Sequence, residues 1–273
     1  MRGIQITSVK RYFGNKRENA KKANEHFKLM SDEYPEEIES SIHRSVTYGP
    51  EMINLVEAEE SSGPRFHLIN GVHQDFIRDA TLSEDIVCVH NFASYRNPGG
   101  MFIKGSSAQE ESLCHASTLY NVLSELTEFY DWNNKHCHDG LYADRAIYSP
   151  DIIFRYEDAH LITGINIDVL TCAAPNVTAM KKKGIYSKSE NYKALEHRID
   201  FICRILDMHK VHTFITGAWG CGVFGQDPEQ VALLLHMYLQ RTNIREVYFV
   251  IPKGYQYKMF YNTLRGFLDD YAF

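Results

Sequence analysis

Several common features are missing from this sequence of 273 residues, and each absence excludes a class of protein. The six cysteines form no Cys-x-x-Cys pair, so neither a zinc ribbon nor a thioredoxin-type site is indicated. No apolar stretch is long enough to span a membrane, and the segment MRGIQITSVKRYFGNKRENA lacks the apolar core of a secretory signal. We therefore expect free thiols and a cytoplasmic protein without a membrane partner.

An excess of basic residues is also missing. The chain has 29 lysines and arginines against 35 aspartates and glutamates, which gives a net charge of −6. Binding of long duplex nucleic acid depends on clustered basic side chains, so we do not expect it. A small diphosphate ligand is compatible with this charge, because backbone N–H groups at the start of a helix can hold it.

What is present is the pattern of an α/β protein. Short apolar runs alternate with amphipathic segments from Phe66 onward, which predicts a mixed sheet flanked by helices. The charge-rich residues 1–65 predict a helical N-terminal extension that packs on a domain formed by residues 66–273. The predicted strands are 66–69, 86–92, 152–156, 168–173, 213–217 and 247–251.

Three helices are predicted between these strands. One follows Ser189, one follows Asp227, which can cap a helix that begins at Pro228, and one begins near Gln109. The apolar face of the first is formed by Leu195, Ile199, Ile202 and Leu206, and that of the last by Leu113, Ala116, Tyr120 and Leu123.

The segment NFASYRNPGG follows a predicted strand and has the character of a ligand-contacting loop. Gly99 and Gly100 permit close approach of the backbone to a ligand, and the Asn97 side chain offers hydrogen bonds to sugar hydroxyls. Glu110 and Glu111 come next, at the start of the third predicted helix. Because open α/β sheets bind ligands outside the carboxyl ends of their strands, this position favours a functional site.

Two interpretations of the glutamate pair are open from the residues alone. In the structural one, Ser107 caps the helix and Glu110 completes a capping box. In the functional one, a carboxyl group acts as a general acid, and the neighbouring carboxylate and burial hold its pKa near the working pH.

A second glycine-rich segment, GAWGCGVFGQDP, runs from a predicted strand into the helix at Pro228. Its backbone amides can turn inward and hold a diphosphate, although a plain strand-to-helix turn is the alternative. Phe224 fits either the core or a sugar contact. A third strand exit, VLTCAAPNV at 169–177, is equally well explained as a tight turn.

Other candidates have simpler explanations. The cluster His136-Cys137-His138-Asp139 is better explained as a polar loop than as a metal site, because adjacent residues rarely supply tetrahedral ligands. Cys221 is a possible nucleophile, but a small thiol in a glycine loop is the safer interpretation. The run at 181–183 is either a solvated turn or a contact for polymer phosphates.

Four segments together carry a resemblance to a known family. NFASYRNPGG, AQEESLCHASTLY, DVLTCAAPNV and GAWGCGVFGQDP follow one another as in the microbial, macrodomain-like poly(ADP-ribose) glycohydrolases, and the sequence resembles that family over residues 86–260. The resemblance implies a macrodomain fold whose two glycine loops clasp the diphosphate and distal ribose of ADP-ribose. It calls for no metal and no cofactor.

The resemblance also implies roles for individual residues. Glu111 is expected to protonate the leaving oxygen of the ribose–ribose bond, and Glu110 to orient the ribose hydroxyls. Water then attacks an oxocarbenium-like carbon. The ligand-binding residues expected on this basis are Asn97, Gly99, Gly100, Gln109, Gly217, Ala218, Gly220, Cys221, Gly222, Val223 and Phe224.

One position departs from the family pattern. Met101 stands where the family typically has a third consecutive glycine, and its side chain is expected to narrow the cleft or to change the substrate. Three functions therefore follow as expectations: an exo-acting poly(ADP-ribose) glycohydrolase, a hydrolase of mono-ADP-ribosylated protein or nucleic acid, and a non-catalytic ADP-ribose reader. ADP-ribose or an ADP-ribosylated protein is the expected partner, and Tyr255 and Tyr257 are candidates for stacking on adenine.

Overall fold

The computed structural model describes residues 15–52, 63–80, 86–158 and 161–271. The described helices are α1 (Lys16–Glu33), α2 (Pro35–Arg44), α3 (His73–Asp79), α4 (Gln109–Cys114), α5 (Leu119–Leu123), α6 (Thr127–Lys135), α7 (Val177–Lys182), α8 (Lys188–Met208), α9 (Pro228–Leu239) and α10 (Tyr255–Leu264). The described strands are β1 (Val46–Tyr48), β2 (Arg65–Asn70), β3 (Val87–Phe92), β4 (Ala146–Asp158), β5 (Leu161–Cys172), β6 (Thr213–Thr216), β7 (Glu246–Ile251) and β8 (Leu268–Tyr271).

These strands form one mixed sheet in the order β1-β4-β5-β3-β6-β7-β2-β8. The β1–β4 and β4–β5 pairs are antiparallel, and every pair from β5 to β8 is parallel. The carboxyl ends of β5, β3, β6, β7 and β2 therefore meet at one edge of the sheet. The predicted fold class, a mixed sheet flanked by helices, is confirmed.

All six predicted strands are present, but two are much longer than predicted, since β4 begins at Ala146 and β5 at Leu161. The segment 152–156 is only part of β4, which begins at Ala146. Pro150 and Asp151 interrupt the strand pattern in the sequence, so its continuity is not visible there. In the structure, Asp151 has a φ of 54°, and the register with β5 shifts between Ser149 and Ile152. The strand passes through this irregularity and stays paired with β5 on both sides.

Two of the three predicted helices are confirmed. The helix after Ser189 is α8, and α9 begins at Pro228 with the Asp227 carboxylate accepting a hydrogen bond from the Glu229 N–H at 3.0 Å. The prediction of one continuous helix from Gln109 is wrong, since α4 ends at Cys114 and α5 begins at Leu119.

The interruption between α4 and α5 has a tertiary cause. The Arg155 N–H donates to the Ala116 carbonyl oxygen at 2.8 Å, and the Thr118 N–H donates to the Ile153 carbonyl oxygen at 3.0 Å. Ser117 forms an isolated antiparallel bridge with Phe154. Hydrogen bonds to β4 thus replace those that a continuous helix needs.

The core lies on both faces of the sheet. Side chains alternate along a strand, so Phe214 packs among residues of α8, α9 and α10, whereas the next residue, Ile215, packs among residues of α3, α4 and α5. Leu195 and Leu235 are fully buried against the first face, and Leu113 against the second. Each such leucine contributes about 1.5–3 kcal/mol by its burial.

Helices α1 and α2 pack on the segment that follows β3 and on β4. The Asn19 side-chain amide donates to the Gly105 carbonyl oxygen at 3.3 Å, and the Ser41 hydroxyl donates to the Pro150 carbonyl oxygen at 2.7 Å. Residues 1–14 and 53–62, which belong to the predicted N-terminal extension, lie outside the described residues. The proposed division into 1–65 and 66–273 stays a prediction.

A bilayer-crossing helix is absent from the described part of the chain, in which no helix is both long and apolar enough.

Candidate active site

A cleft of about 610 Å³ opens at the carboxyl ends of β3, β6 and β7, within the size range typical of small-ligand sites. One wall is formed by the loop after β3 and the start of α4, and another by the glycine-rich loop after β6. The predicted site residues that line the cleft are Gly100, Gln109, Glu110, Glu111, Ala218, Gly220, Gly222, Val223 and Phe224. Asn97, Gly99, Gly217 and Cys221 are not among the lining residues.

Glu110 lines the cleft, and its donors include a backbone N–H and a side-chain amide. Its side chain is 3% exposed. Its Oε2 accepts a hydrogen bond from the Ser94 N–H at 2.7 Å, and its Oε1 accepts one from the Asn91 side-chain amide at 3.2 Å. The carboxyl group is therefore fixed relative to the end of β3.

Glu111 is held by two backbone amides of the neighbouring loop. Its Oε1 accepts from the Met101 N–H at 2.9 Å, and its Oε2 accepts from the Ala108 N–H at 3.0 Å. Ala108 is the residue that precedes α4, so Glu111 also caps the helix. The alternative in which Ser107 and Glu110 form the cap is wrong, because the helix begins one residue later than that alternative requires.

Gly100 shows how closely the loop approaches both carboxyl groups. A Cβ added there would lie 2.7 Å from Glu111 Oε1 and 2.9 Å from Glu110 Oε2, distances that real Cβ atoms do not show. The φ of Gly100 is +61°, which a side chain would also strain. One oxygen of each carboxyl group thus lies beside the same point at the Gly100 backbone, and a larger residue there would displace both groups.

Burial is the main reason that the pKa of Glu110 rises from 4.5 to about 8. The negative charge of Glu111 raises this pKa further, while the hydrogen bonds from Ser94, Asn91 and Gly99 oppose the shift. Glu110 therefore carries a proton near neutral pH. A protonated carboxyl group can donate a hydrogen bond to a sugar hydroxyl and adds no charge beside an anionic ligand.

The raised pKa of Glu110 predicts a pH dependence of stability. The unfolded chain releases this proton near pH 4.5 and the folded chain near pH 8, so between these values the folded chain holds more protons and a rising pH favours unfolding. We expect the free energy of unfolding of the Glu110→Gln variant to increase relative to that of the unmodified protein as the pH rises through this window. The relative increase is on the order of 3–5 kcal/mol at the upper end of the window. Urea unfolding of both proteins at several pH values measures the difference, and a difference independent of pH would contradict it.

The Gln109 side chain contacts the backbone of β3. Its Oε1 accepts from the Phe92 N–H at 2.8 Å, and its Nε2 donates to the His90 carbonyl oxygen at 2.8 Å. These two hydrogen bonds take the place of those to a neighbouring strand at the end of β3, and they attach α4 to the sheet. Gln109 lines the cleft, but its amide group is already used in placing the two glutamates.

The glycine-rich loop after β6 uses some of its amides internally. The N–H groups of Trp219, Cys221, Gly225 and Gln226 donate to carbonyl oxygens within the loop, so the prediction that the backbone amides turn inward is wrong for these four. Among the described hydrogen bonds, the N–H groups at 222–224 have no acceptor. Three successive unpaired amides beside a cleft are a suitable site for an anionic oxygen.

Gly217 and Cys221 support this loop from behind. A Cβ at Gly217 would lie 2.8 Å from the Val250 carbonyl oxygen, so glycine permits β6 to end close to β7. The Cys221 thiol donates to the Trp219 carbonyl oxygen at 3.5 Å, and burial raises its pKa well above the ordinary value. This environment disfavours a thiolate, which a nucleophilic role requires.

Phe224 reaches the cleft from a supported position. It is half-buried and packs against the core, and its carbonyl oxygen accepts from the Thr178 N–H at 3.0 Å. Its ring centroid lies 6.2 Å from that of Tyr142. Both sequence interpretations of Phe224 therefore apply, since one side of the residue packs inward and the other lines the cleft.

Asn97 and Gly99 lie outside the cleft lining for different reasons. Asn97 is exposed, and its N–H donates to the Ser94 hydroxyl at 3.2 Å. Gly99 is buried below the loop, where an added Cβ would lie 2.5 Å from the Tyr120 ring. The predicted ribose contact of Asn97 stays a prediction.

Met101 occupies its position without backbone strain. Its φ is −114°, so this position does not require glycine, and its side chain is 39% exposed at the cleft. We expect Met101→Gly to increase the rate of polymer cleavage several-fold, because removal of the side chain widens the entrance near Glu111. Initial rates on poly(ADP-ribose) measure the effect, and an unchanged rate would show that Met101 does not restrict the substrate.

The far wall of the cleft was missed by the sequence analysis. It is formed by Val72, His73 and Gln74 after β2, by the last two residues of β7, Val250 and Ile251, and by residues 252–254 and Gln256 that follow them. No sequence motif marks these residues, since they meet only through the order of the strands. Neither adenine candidate lines the cleft: Tyr255 is 66% exposed, and Tyr257 is buried in the core.

Comparison with known proteins identifies the family. A family model described as the catalytic domain of microbial-type PARG matches residues 15–156, slightly more than half of the chain. The matched segment includes α1, α2 and the Gln109–Glu111 region, and it ends before the loop after β6. A search of curated proteins gave no match.

Similar solved structures cover most of the chain. A poly(ADP-ribose) glycohydrolase from Thermomonospora curvata is 25% identical with a TM-score of 0.80, and the similarity covers 90% of this chain and 99% of that chain. The same enzyme bound to the inhibitor ADP-HPD is 26% identical with a TM-score of 0.79 over the same shares. The enzyme from Deinococcus radiodurans in complex with ADP-ribose shares the fold at 23% identity and a TM-score of 0.68, covering 84% of this chain and 97% of that chain.

The family match, the macrodomain-like sheet and the glutamate pair in the cleft agree with one another, and the chain belongs to the microbial-type PARG catalytic-domain family.

Proposed function

We propose that this protein hydrolyses the ribose–ribose bond of poly(ADP-ribose) from chain ends and releases ADP-ribose. The observation that carries the proposal is the geometry at Gly100, where one carboxyl oxygen of Glu110 and one of Glu111 lie beside the same point of the cleft lining. On the opposite side of the cleft, the amides at 222–224, which have no acceptor among the described residues, suit the diphosphate of the same ligand.

In this mechanism, Glu111 reacts in its protonated form and donates that proton to the ribose oxygen that leaves, while the bond between that oxygen and the anomeric carbon breaks. The carbon develops oxocarbenium character, and a water molecule attacks it and returns a proton to Glu111. Glu110, protonated near neutral pH because burial raises its pKa to about 8, donates a hydrogen bond to a hydroxyl of the same ribose. Phe224 packs against the sugar and limits its rotation.

The buried glutamate pair favours an enzyme over a reader. Burial of two adjacent carboxyl groups costs free energy, as the raised pKa of Glu110 shows. A protein that only binds ADP-ribose has no use for a second carboxyl group that serves as a general acid. Met101 favours the second candidate, a hydrolase of single ADP-ribose groups on protein, because its side chain lines the cleft and is 39% exposed there.

Two substrates distinguish the candidates. The unmodified protein is incubated with an automodified poly(ADP-ribosyl)ated protein and, separately, with the same protein trimmed to single ADP-ribose groups. We expect release of free ADP-ribose from the polymer and little from the trimmed protein. Release from the trimmed protein alone would show that the protein is a hydrolase of single ADP-ribose groups and not of the polymer. Binding of ADP-ribose without release from either substrate would show that the protein is a reader.

A reducing, cytoplasmic location is part of the proposal. It is supported by the cysteines at 88, 114, 137, 172, 203 and 221, which are all free thiols.

A further inference from the structure

A lysine-rich strip lies next to the cleft and has no part in the site described above. Between residues 181 and 193 the sequence KKKGIYSKSENYK contains five lysines and one glutamate, whereas the whole chain has a net charge of −6. All five lysines are exposed. We call the surface formed by Lys181, Lys182, Lys183, Lys188 and Lys193 the lysine strip.

Two contacts place the lysine strip against the loop that carries Phe224. The Thr178 N–H, in the first turn of α7, donates to the Phe224 carbonyl oxygen at 3.0 Å. The Asn191 side chain, in the first turn of α8, exchanges hydrogen bonds of 3.0 and 2.9 Å with the buried Gln226 side chain. The lysines at the end of α7 and the start of α8 thus lie on the outer side of the cleft wall.

The strip includes a shallow depression of about 430 Å³. It is lined by Lys188, Ser189, Tyr192 and Lys193 of α8 and by Gln230 of α9. Nearby, Tyr186 is 36% exposed, and the Lys181 ammonium lies 5.0 Å from the centre of its ring. Aromatic rings between exposed ammonium groups are the arrangement that binds flexible chains of nucleotides, whose bases stack and whose phosphates pair with cations.

Most of the positive charge in the strip is available to a ligand. Lys183 pairs with the Asp139 carboxylate at 2.8 Å. Lys182, Lys188 and Lys193 form no ion pair with any residue in the described part of the chain. Within the described part of the chain, no ion pair therefore neutralises their charge.

We propose that the lysine strip binds the ADP-ribose units of poly(ADP-ribose) that follow the unit held in the cleft. This inference rests on the proposed function, because the ribose between Glu111 and Phe224 is the one whose bond to the next unit is cut. The next unit leaves the cleft over Phe224 and meets the strip. Its diphosphate pairs with the lysines, and its adenine stacks on Tyr186 or Tyr192.

Charge reversal in the depression tests the proposal. In the Lys188→Glu/Lys193→Glu variant we expect the KM for long polymer to rise about tenfold. The slope of log KM against the logarithm of salt concentration is expected to decrease by about two. Turnover at saturating polymer and the Kd of monomeric ADP-ribose are expected to stay within about twofold, because these lysines do not line the cleft. The matched control is Lys28→Glu/Lys210→Glu, which changes the charge equally at two other exposed positions.

Three outcomes would overturn the proposal. The first is an equal KM in the strip variant and the control. The second is an equal rise in the Kd of monomeric ADP-ribose, which would place the effect in the cleft. The third is competition by single-stranded RNA as strong as that by polymer of equal charge, which would make the strip a general polyanion surface. Failure of the proposed function is distinguishable, because the unmodified protein would then release no ADP-ribose from the polymer.

Discussion

Replacement of Glu111 by glutamine is expected to lower turnover on poly(ADP-ribose) by at least about a hundredfold, the usual contribution of a positioned general acid. The amide cannot donate a proton to the leaving oxygen and return to its starting state. ADP-ribose binding is expected to change only a few-fold, because the amide has nearly the volume of the carboxyl group. Initial rates and calorimetric titration with ADP-ribose measure the two quantities.

The structural role of Glu111 sets the control for this experiment. Glutamine can accept only one of the hydrogen bonds that Glu111 receives from Met101 and Ala108, so the variant is expected to lose about 1 kcal/mol of stability. Glu128→Gln makes the same change in the first turn of α6, outside the cleft, and should leave turnover unchanged. Comparable turnover in Glu111→Gln and Glu128→Gln would remove Glu111 from the chemistry.

A valine at Gly222 is expected to weaken ADP-ribose binding by at least about a hundredfold, or roughly 2.7 kcal/mol. Gly222 lines the cleft, and its N–H is one of the three successive amides without an acceptor in the described structure. The branched side chain would occupy the space that a diphosphate needs and would shield these amides. Calorimetric titration with ADP-ribose measures the loss.

This substitution separates ligand binding from folding unusually well. No atom lies within 4 Å of a Cβ built at Gly222, and no positive φ strains a side chain there. Gly266 has the same two properties and lies between α10 and β8, so Gly266→Val is a matched control that should bind ADP-ribose normally. Unchanged affinity in a folded Gly222→Val protein would show that the diphosphate binds elsewhere.

The sequence predicted the parts of this structure that depend on local pattern. Apolar runs located the central strands, and Asp227 with Pro228 located the start of α9, because both signals act between neighbouring residues. The glycine loops and the glutamate pair were also recognised, since close backbone approach and adjacent carboxylates leave a visible trace in the sequence.

The sequence did not predict features that arise from distant contacts. The break between α4 and α5 depends on hydrogen bonds to β4, and the far wall of the cleft depends on β2 and β7 being neighbours in the sheet. The different surroundings of the two glutamates were not predicted for the same reason. Only the fold shows that Glu111 caps α4 and that Glu110 is the carboxyl whose pKa burial raises.

The decisive measurement is the release of free ADP-ribose from purified poly(ADP-ribose), followed over time with the unmodified protein and with Glu111→Gln side by side. We expect ADP-ribose to accumulate with the unmodified protein and to accumulate at least about a hundredfold more slowly with the variant. Equal release by both proteins would contradict the assigned acid, and no release by the unmodified protein would contradict the glycohydrolase itself.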